Sequence, residues 1–198
     1  MVICESEMEF EFFEGVTAIK FDDTDFYRKS FNRLPGGKGV DIIAFTDDEI
    51  QLIEVKNCAG AETENRWRIS VNNSNIDSAP RELDVENRNS VDIEVAKKVA
   101  TTITCLYGAW TKSQMSEMAL ELVDYGKNMN QKSLLSDRKS LVVLLVLEGD
   151  FGRYYSTRSK KMIMDRIKSS IDAKLKWLKC RVEVVDSNTN RNHLFSIV

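Results

Sequence analysis

The chain has 198 residues, with 28 Lys and Arg against 31 Asp and Glu, a formal net charge of -3, 42% hydrophobic and 30% charged side chains and only two prolines. That length suits one ordinary domain that buries most of the apolar surface of its unfolded chain. The slightly acidic balance excludes a global electrostatic pull on nucleic acid, so any such contact has to be local. Four scattered cysteines without a C-x-x-C pair and a single histidine, His193, exclude a zinc site of ordinary ligand spacing.

The thiols suggest a reducing interior. The first residues lack a basic region followed by an apolar stretch, and the longest apolar run, Leu141 to Leu147, is too short to span a bilayer. A cytoplasmic protein without a membrane partner is expected.

Met8 to Phe13 alternates Met, Glu, Phe and Glu before Glu14-Gly15, and Val16 to Phe21 follows, which predicts an N-terminal hairpin that extends the main sheet. Asp22 to Leu34 reads as a helix capped by Asp22, Asp23 or Thr24. Phe26, Tyr27, Ser30, Phe31 and Leu34 face inward in that reading, and Arg28, Lys29 and Arg33 face outward. Those cations either touch phosphates or form a plain solvated face. Pro35-Gly36-Gly37-Lys38-Gly39 ends the helix, and Lys38 is a candidate phosphate contact or part of simple turn chemistry.

Gly39 to Asn57 carries the strongest signal: two runs rich in Ile, Val and Phe flank Thr46, Asp47, Asp48 and Glu49, the pattern of an antiparallel hairpin. If Phe45 faces Ile50, then Ile43 faces Leu52, Ile42 faces Ile53 and Asp41 falls opposite Glu54. Side chains alternate along a strand, so Asp41, Glu54 and Lys56 share a face with Ile43, Phe45, Ile50 and Leu52. Two carboxylates ~5 Å apart at an effective dielectric of ~20 repel by about 3 kcal/mol, a large share of the ~5 to 15 kcal/mol stability of a domain. A compensating charge is therefore expected. Mg²⁺ or Mn²⁺ suits two carboxylates and leaves positions for water and phosphate oxygens. Lys56, one pleat beyond Glu54, is placed to orient or deprotonate an attacking water, or to stabilise charge on phosphate.

Asp41, twelve intervening residues, Glu54, one residue, Lys56: this arrangement resembles the PD-(D/E)xK superfamily of restriction-like and repair nucleases over roughly residues 22 to 147. Val40 replaces the proline of the family's signature. The resemblance implies an α/β fold, a mixed central sheet flanked by helices in a restriction endonuclease-like core with the N-terminal hairpin as an extension, in a single domain over 1–198. It implies metal-dependent hydrolysis of phosphodiester bonds in nucleic acid, with DNA the expected substrate. Asp41 and Glu54 would hold Mg²⁺ or Mn²⁺, the Val55 carbonyl would complete the shell and Lys56 would assist water attack. The superfamily also includes inactive members that bind nucleic acid or a protein partner, and that alternative stays open, as does a homodimer.

From Asn57 to Asn89 no sustained period holds. Arg66, Trp67 and Arg68 there either grip an unpaired strand or set a tryptophan cap on the core between two surface arginines. Val91 to Tyr107 has an apolar stripe at helical spacing that Gly108 should end, with Glu94, Lys97 and Lys98 near its flank. Ser113 to Asn130 reads as a Met-bearing amphipathic helix of the kind that packs a core or dimer surface. Leu141 to Leu147 suits a central strand covered on both sides and parallel to the Glu54 strand. Glu148-Gly149-Asp150 forms a turn or comes near the metal, Thr157 to Lys179 a basic amphipathic helix, and Val182 to Val185 a last edge strand. His193 is expected on the surface.

Overall fold

The structure is a computed structural model, and it describes residues 1–72, 89–113, 122–128, 140–154 and 158–198. Strand β1 (Val2–Glu5) folds back on β2 (Met8–Phe12) through Ser6 and Glu7, both at positive φ, the mirror-image turn whose twist matches paired strands. β2 buries Met8, Phe10 and Phe12 and exposes its glutamates. Its second edge pairs antiparallel with the C-terminal strand Phe195–Ile197.

The expected pairing of Met8–Phe13 with Val16–Phe21 therefore does not form. Gly15, at φ 83°, lets the chain leave this small sheet, and β3 (Thr17–Lys20) pairs instead with β4 (Ile42–Phe45). The reason is aromatic packing at long range: the rings of Phe10 and Phe12 lie 5.5 and 5.2 Å from that of Phe195, contacts that no local pattern announces.

β4 returns on β5 (Glu49–Asn57) with Ile42 facing Ile53, Ile43 facing Leu52 and Phe45 facing Ile50, the register expected from the sequence. β6 (Ser140–Glu148) lies parallel to β5, and β7 (Arg181–Val185) parallel to β6, giving a mixed five-stranded sheet in the order β3-β4-β5-β6-β7. β7 is an edge strand as expected, but β8 (Phe195–Ile197) follows it and completes the small sheet.

The two faces of the larger sheet are covered differently. Ile43, Ile50, Leu52, Val143 and Leu145 pack against the helical side, where α-helices at Val91–Ser113 and Lys160–Lys174 contribute Val95, Val99, Leu106, Ile163 and Ile167. Ile42, Ala44, Ile53, Leu144 and Val146 pack against Phe10, Phe12 and Phe195 of the small sheet. Burying each of these Ile, Leu and Val chains is worth about 1.5 to 3 kcal/mol, so β6, buried along its whole apolar run, anchors both cores.

The helix expected over 22–34 is broken into a 3-10 turn at Phe21–Asp23, helix α1 (Asp25–Lys29), capped by Thr24, and a second 3-10 turn at Phe31–Arg33. Leu34 ends up 53% exposed rather than inward. Tyr27 competes with helix continuation by stitching the glycine-rich loop to α1: its hydroxyl donates to the Gly37 carbonyl and accepts from the Gly39 amide at 3.1 Å. A Cβ at Gly39 would stand 2.3 Å from the Phe21 ring, so only glycine lets the chain pass there on its way to Asp41.

Helix α2 (Glu62–Asn65) leads into a 3-10 turn at Arg66–Ile69. Helix α3 (Val91–Ser113) passes through Gly108 instead of ending there, since buried Leu106 and Ala109 carry its packed face onward. Helix α4 (Val123–Asn128) approaches it so closely that a Cβ on Gly126 would come within 2.8 Å of the Leu106 carbonyl oxygen. Met115, Met118, Ala119 and Met129 of the expected helix over 113–130 lie outside the described residues, as does Thr157 at the start of the one that became α5 (Lys160–Lys174). Among the described residues no helix is long and apolar enough to cross a membrane. All four cysteines are free thiols.

Candidate acidic site at the end of the hairpin

Asp41 lies one residue before β4 and is tied down by main chain on both sides. Its amide donates to the Ile53 carbonyl at 3.1 Å, and its carbonyl accepts from the Phe21 amide at 2.8 Å. The antiparallel pairing ends at Ile42 and Ile53, so the expected pairing of Asp41 directly opposite Glu54 does not form. The Asp41 side chain makes up the difference, with Oδ2 accepting from the Val55 amide at 2.7 Å.

The expected face is kept. Asp41 and Glu54 converge on one ammonium, that of Lys98, whose Nζ stands 3.1 Å from Asp41 Oδ1 and 2.6 Å from Glu54 Oε1. Lys56 reaches the same Glu54 oxygen at 2.9 Å and Glu94 Oε1 at 2.8 Å, and Arg68 approaches Glu94 Oε2 at 3.4 Å. Glu54 is fully buried, and its other oxygen, Oε2, has no hydrogen-bond partner among the described residues.

Thus the triad Asp41, Glu54 and Lys56 is assembled, and two further side chains complete it from α3. Glu94 and Lys98 stood out in the sequence only as flank residues. A signal for Lys98 was present: it is in phase with Val91, Val95 and Thr102 on the buried stripe of the helix. A lysine at such a position requires a buried partner. The compensating charge between the two carboxylates, expected to be a metal, is this ammonium among the described residues.

Electrostatics follow from the crowding. Burial pushes the Glu54 carboxyl up to about 7, with repulsion from Asp41 adding to it and Lys56 and Lys98 opposing. Burial also works against the Lys56 ammonium, but Glu54 and Glu94 overcome it and hold that amine above its ordinary range. Lys98 is raised too, against burial, chiefly by Glu54. Glu94 is lowered despite its burial because Lys56 neutralises it. Lys56 is therefore a charged group at neutral pH, suited to orienting and stabilising anions rather than to taking a proton.

Beside the cluster opens a cleft of about 410 Å³, lined by Tyr27, Arg28, Asn32, Lys38, Asp41 and Lys98 among others. Lys38 is exposed on it, with its carbonyl accepting from the Thr101 hydroxyl. Arg28 pairs with Asp23, and Lys29 with Asp25 at 2.6 Å, both at the surface. Asp22, at the cleft wall, has its carboxyl raised by burial and by Asp41.

The remaining candidates are placed as follows. Val55 is buried in the ladder opposite Val146. Arg66 is exposed, while Trp67 is buried, with the Arg68 guanidinium 4.5 Å above its ring. This is the geometry of a core cap, not of a platform presented to an unpaired base. Glu148 accepts from the Ser187 amide, and Asp150 pairs with Arg153 at 3.6 Å, so these acids form turn structure. His193 is at the surface, 3.7 Å from Glu49. Among the described residues no group of three or more His, Cys, Asp and Glu is placed to hold a metal, the acidic pair being two.

Residues 24–198 match DUF6661, a family of unknown function, and the chain belongs to that family. No curated protein and no solved structure matches it.

Proposed function

We propose that this protein is a Mg²⁺- or Mn²⁺-dependent nuclease of the PD-(D/E)xK kind with a restriction endonuclease-like core, acting on nucleic acid, DNA in the first instance, in the cytoplasm. The observation that carries the reading is the convergence of the Asp41 and Glu54 carboxylates on one cation while Glu54 Oε2 stays buried and unpartnered. An orphaned buried carboxylate oxygen is costly unless something fills its coordination. The β4–β5 hairpin, the α3 crossover and parallel β6 give further support, being the arrangement that the resemblance implies.

In this reading Asp41 and Glu54 hold the metal, joined by the Val55 carbonyl. The bound ion would polarise the phosphate and lower the pKa of a coordinated water. Lys56, held charged by Glu54 and Glu94, stabilises negative charge that builds on the phosphate. Glu94 positions Lys56. Lys38 and Arg28 border the cleft through which a phosphate backbone would reach Asp41.

The test is cleavage. Purified protein incubated with single- and double-stranded DNA and RNA plus Mn²⁺ should cut at least one of them, and Asp41→Ala and Lys56→Ala should abolish the cutting. Activity that survives both changes removes the triad from consideration.

A second reading has a specific observation in its favour. Lys98 already bridges the carboxylates, and Asp41, Glu54 and Glu94 are matched by Lys56, Lys98 and Arg68 without any metal. On that account the protein is a catalytically inactive module of the same fold that binds nucleic acid or a protein partner, or pairs as a homodimer. Absence of Mn²⁺ binding up to millimolar concentration favours this alternative.

A further inference from the structure

Lys98 is a poor candidate for a purely structural ion. Buried ion pairs seldom gain net stability over apolar replacements, and they persist best where surrounding donors and acceptors complete every group. Elsewhere in this molecule that completion is found: buried Glu49 takes the Gln51 amide at 2.5 Å on one oxygen, and the Ser140 hydroxyl at 3.0 Å and the Arg181 guanidinium at 3.2 Å on the other. The Lys98 ammonium meets carboxylates at 2.6 and 3.1 Å but leaves Glu54 Oε2 empty-handed. It also lies at a boundary, with the acidic pair on one side and the open cleft of Arg28 and Lys38 on the other.

We infer that Lys98 is an internal cation that competes with the divalent metal for Asp41 and Glu54, and that metal binding displaces its ammonium into the cleft beside Lys38. This rests on the reading of Asp41 and Glu54 as metal ligands. Charge and reach single out Lys98. The site is balanced without a metal, so a doubly charged ion arriving on Asp41 and Glu54 is repelled by the Lys98 ammonium already 3.1 and 2.6 Å from their oxygens, and it binds best when that single charge leaves. Of the two ammoniums on Glu54, Lys56 is also anchored by Glu94. Lys98 has its contacts on the pair itself, and its flexible four-carbon stem lets the ammonium swing without moving α3. Metal affinity is therefore set below what the two carboxylates alone would give, and occupancy by metal adds a positive charge to the cleft.

Two measurements test this. Calorimetric titration with Mn²⁺ should show Lys98→Met binding at least about tenfold tighter than the native protein, while Lys98→Arg, which keeps the competing charge, binds no tighter. In the native protein, amine acylation followed by peptide mass analysis should show Lys98 labelling rising several-fold on addition of Mn²⁺, with exposed Lys38 as the internal reference. Equal Mn²⁺ affinity in the native and Lys98→Met proteins overturns the inference while leaving the metal site standing. If Lys98→Met does not fold, unchanged Lys98 labelling in Mn²⁺-bound native protein overturns it. No Mn²⁺ binding by either protein removes both the inference and the metal reading beneath it.

Discussion

Two glutamates on β5, five residues apart, are both buried and are treated in opposite ways by the structure. Glu49 accepts from the Gln51 amide at 2.5 Å, the Ser140 hydroxyl at 3.0 Å and the Arg181 guanidinium at 3.2 Å, so both of its oxygens are satisfied and neutral donors share the load. Glu54, on the other face and toward the other end of the strand, has two ammoniums on one oxygen, no partner among the described residues on the other, and Asp41 and Glu94 close enough to repel it. The lesson is that burial of a carboxylate says little by itself; what distinguishes a joint from a candidate site is whether neutral donors finish the coordination.

Activity separates the two glutamates most strongly. Under the nuclease reading, Asp41→Ala should reduce Mn²⁺-dependent cleavage at least about a hundredfold, whereas Glu49→Gln should leave it unchanged; equal losses measured in parallel would erase the distinction between the two glutamates.

Stability against pH is the next lever. Glu54 is raised from 4.5 to about 7, so between those values the folded state holds a proton that the unfolded chain releases. Stability therefore falls as pH rises through that window. Asp22, raised from 3.8, acts in the same direction. Lowered Glu94 contributes stability that is present above 4.5 and lost as pH drops below it. Urea unfolding of the native protein and Glu54→Gln from pH 4.5 to 7.5 should show the decline flattened in the variant by at most about 3 kcal/mol; an unaltered slope contradicts the assignment.

Glu49→Ala at constant pH should cost about 1 to 3 kcal/mol by urea unfolding, because Gln51, Ser140 and Arg181 lose a charged acceptor together. At the small end, Lys29→Ala should change stability by less than about 0.5 kcal/mol, since its pair with Asp25 is surface-exposed.

How much of this was legible in the sequence depends on how local the cause was. The β4–β5 register followed from two apolar runs placed around a short acidic turn, and the triad's shared face came with it. β6 was equally plain, because a strand covered on both faces has no polar alternation. The N-terminal strands misled because Glu14-Gly15 looks like a hairpin turn, while β2 pairs on one edge with β1 and on the other with a three-residue strand near the C-terminus. The break in the helix over 22–34 depends on how Tyr27 holds Gly37 and Gly39, and a buried ring at Phe21 decides which residue fits at 39. Of the site, Asp41, Glu54 and Lys56 could be read from spacing, whereas Lys98 needed the packing direction of α3. Trp67 went to the core because neighbouring polar residues, Asn65 and Glu94, engage Arg68 over its ring.

The nuclease reading requires Asp41 and Glu54 to form a metal-binding pair. A crystal soaked in Mn²⁺ and measured for anomalous scattering tests it most directly. The account predicts a peak coordinated by the Asp41 and Glu54 carboxylates with the Lys98 ammonium swung away from both. Native crystals in millimolar Mn²⁺ with no peak there, and with Lys98 still bridging the two acids, would contradict it.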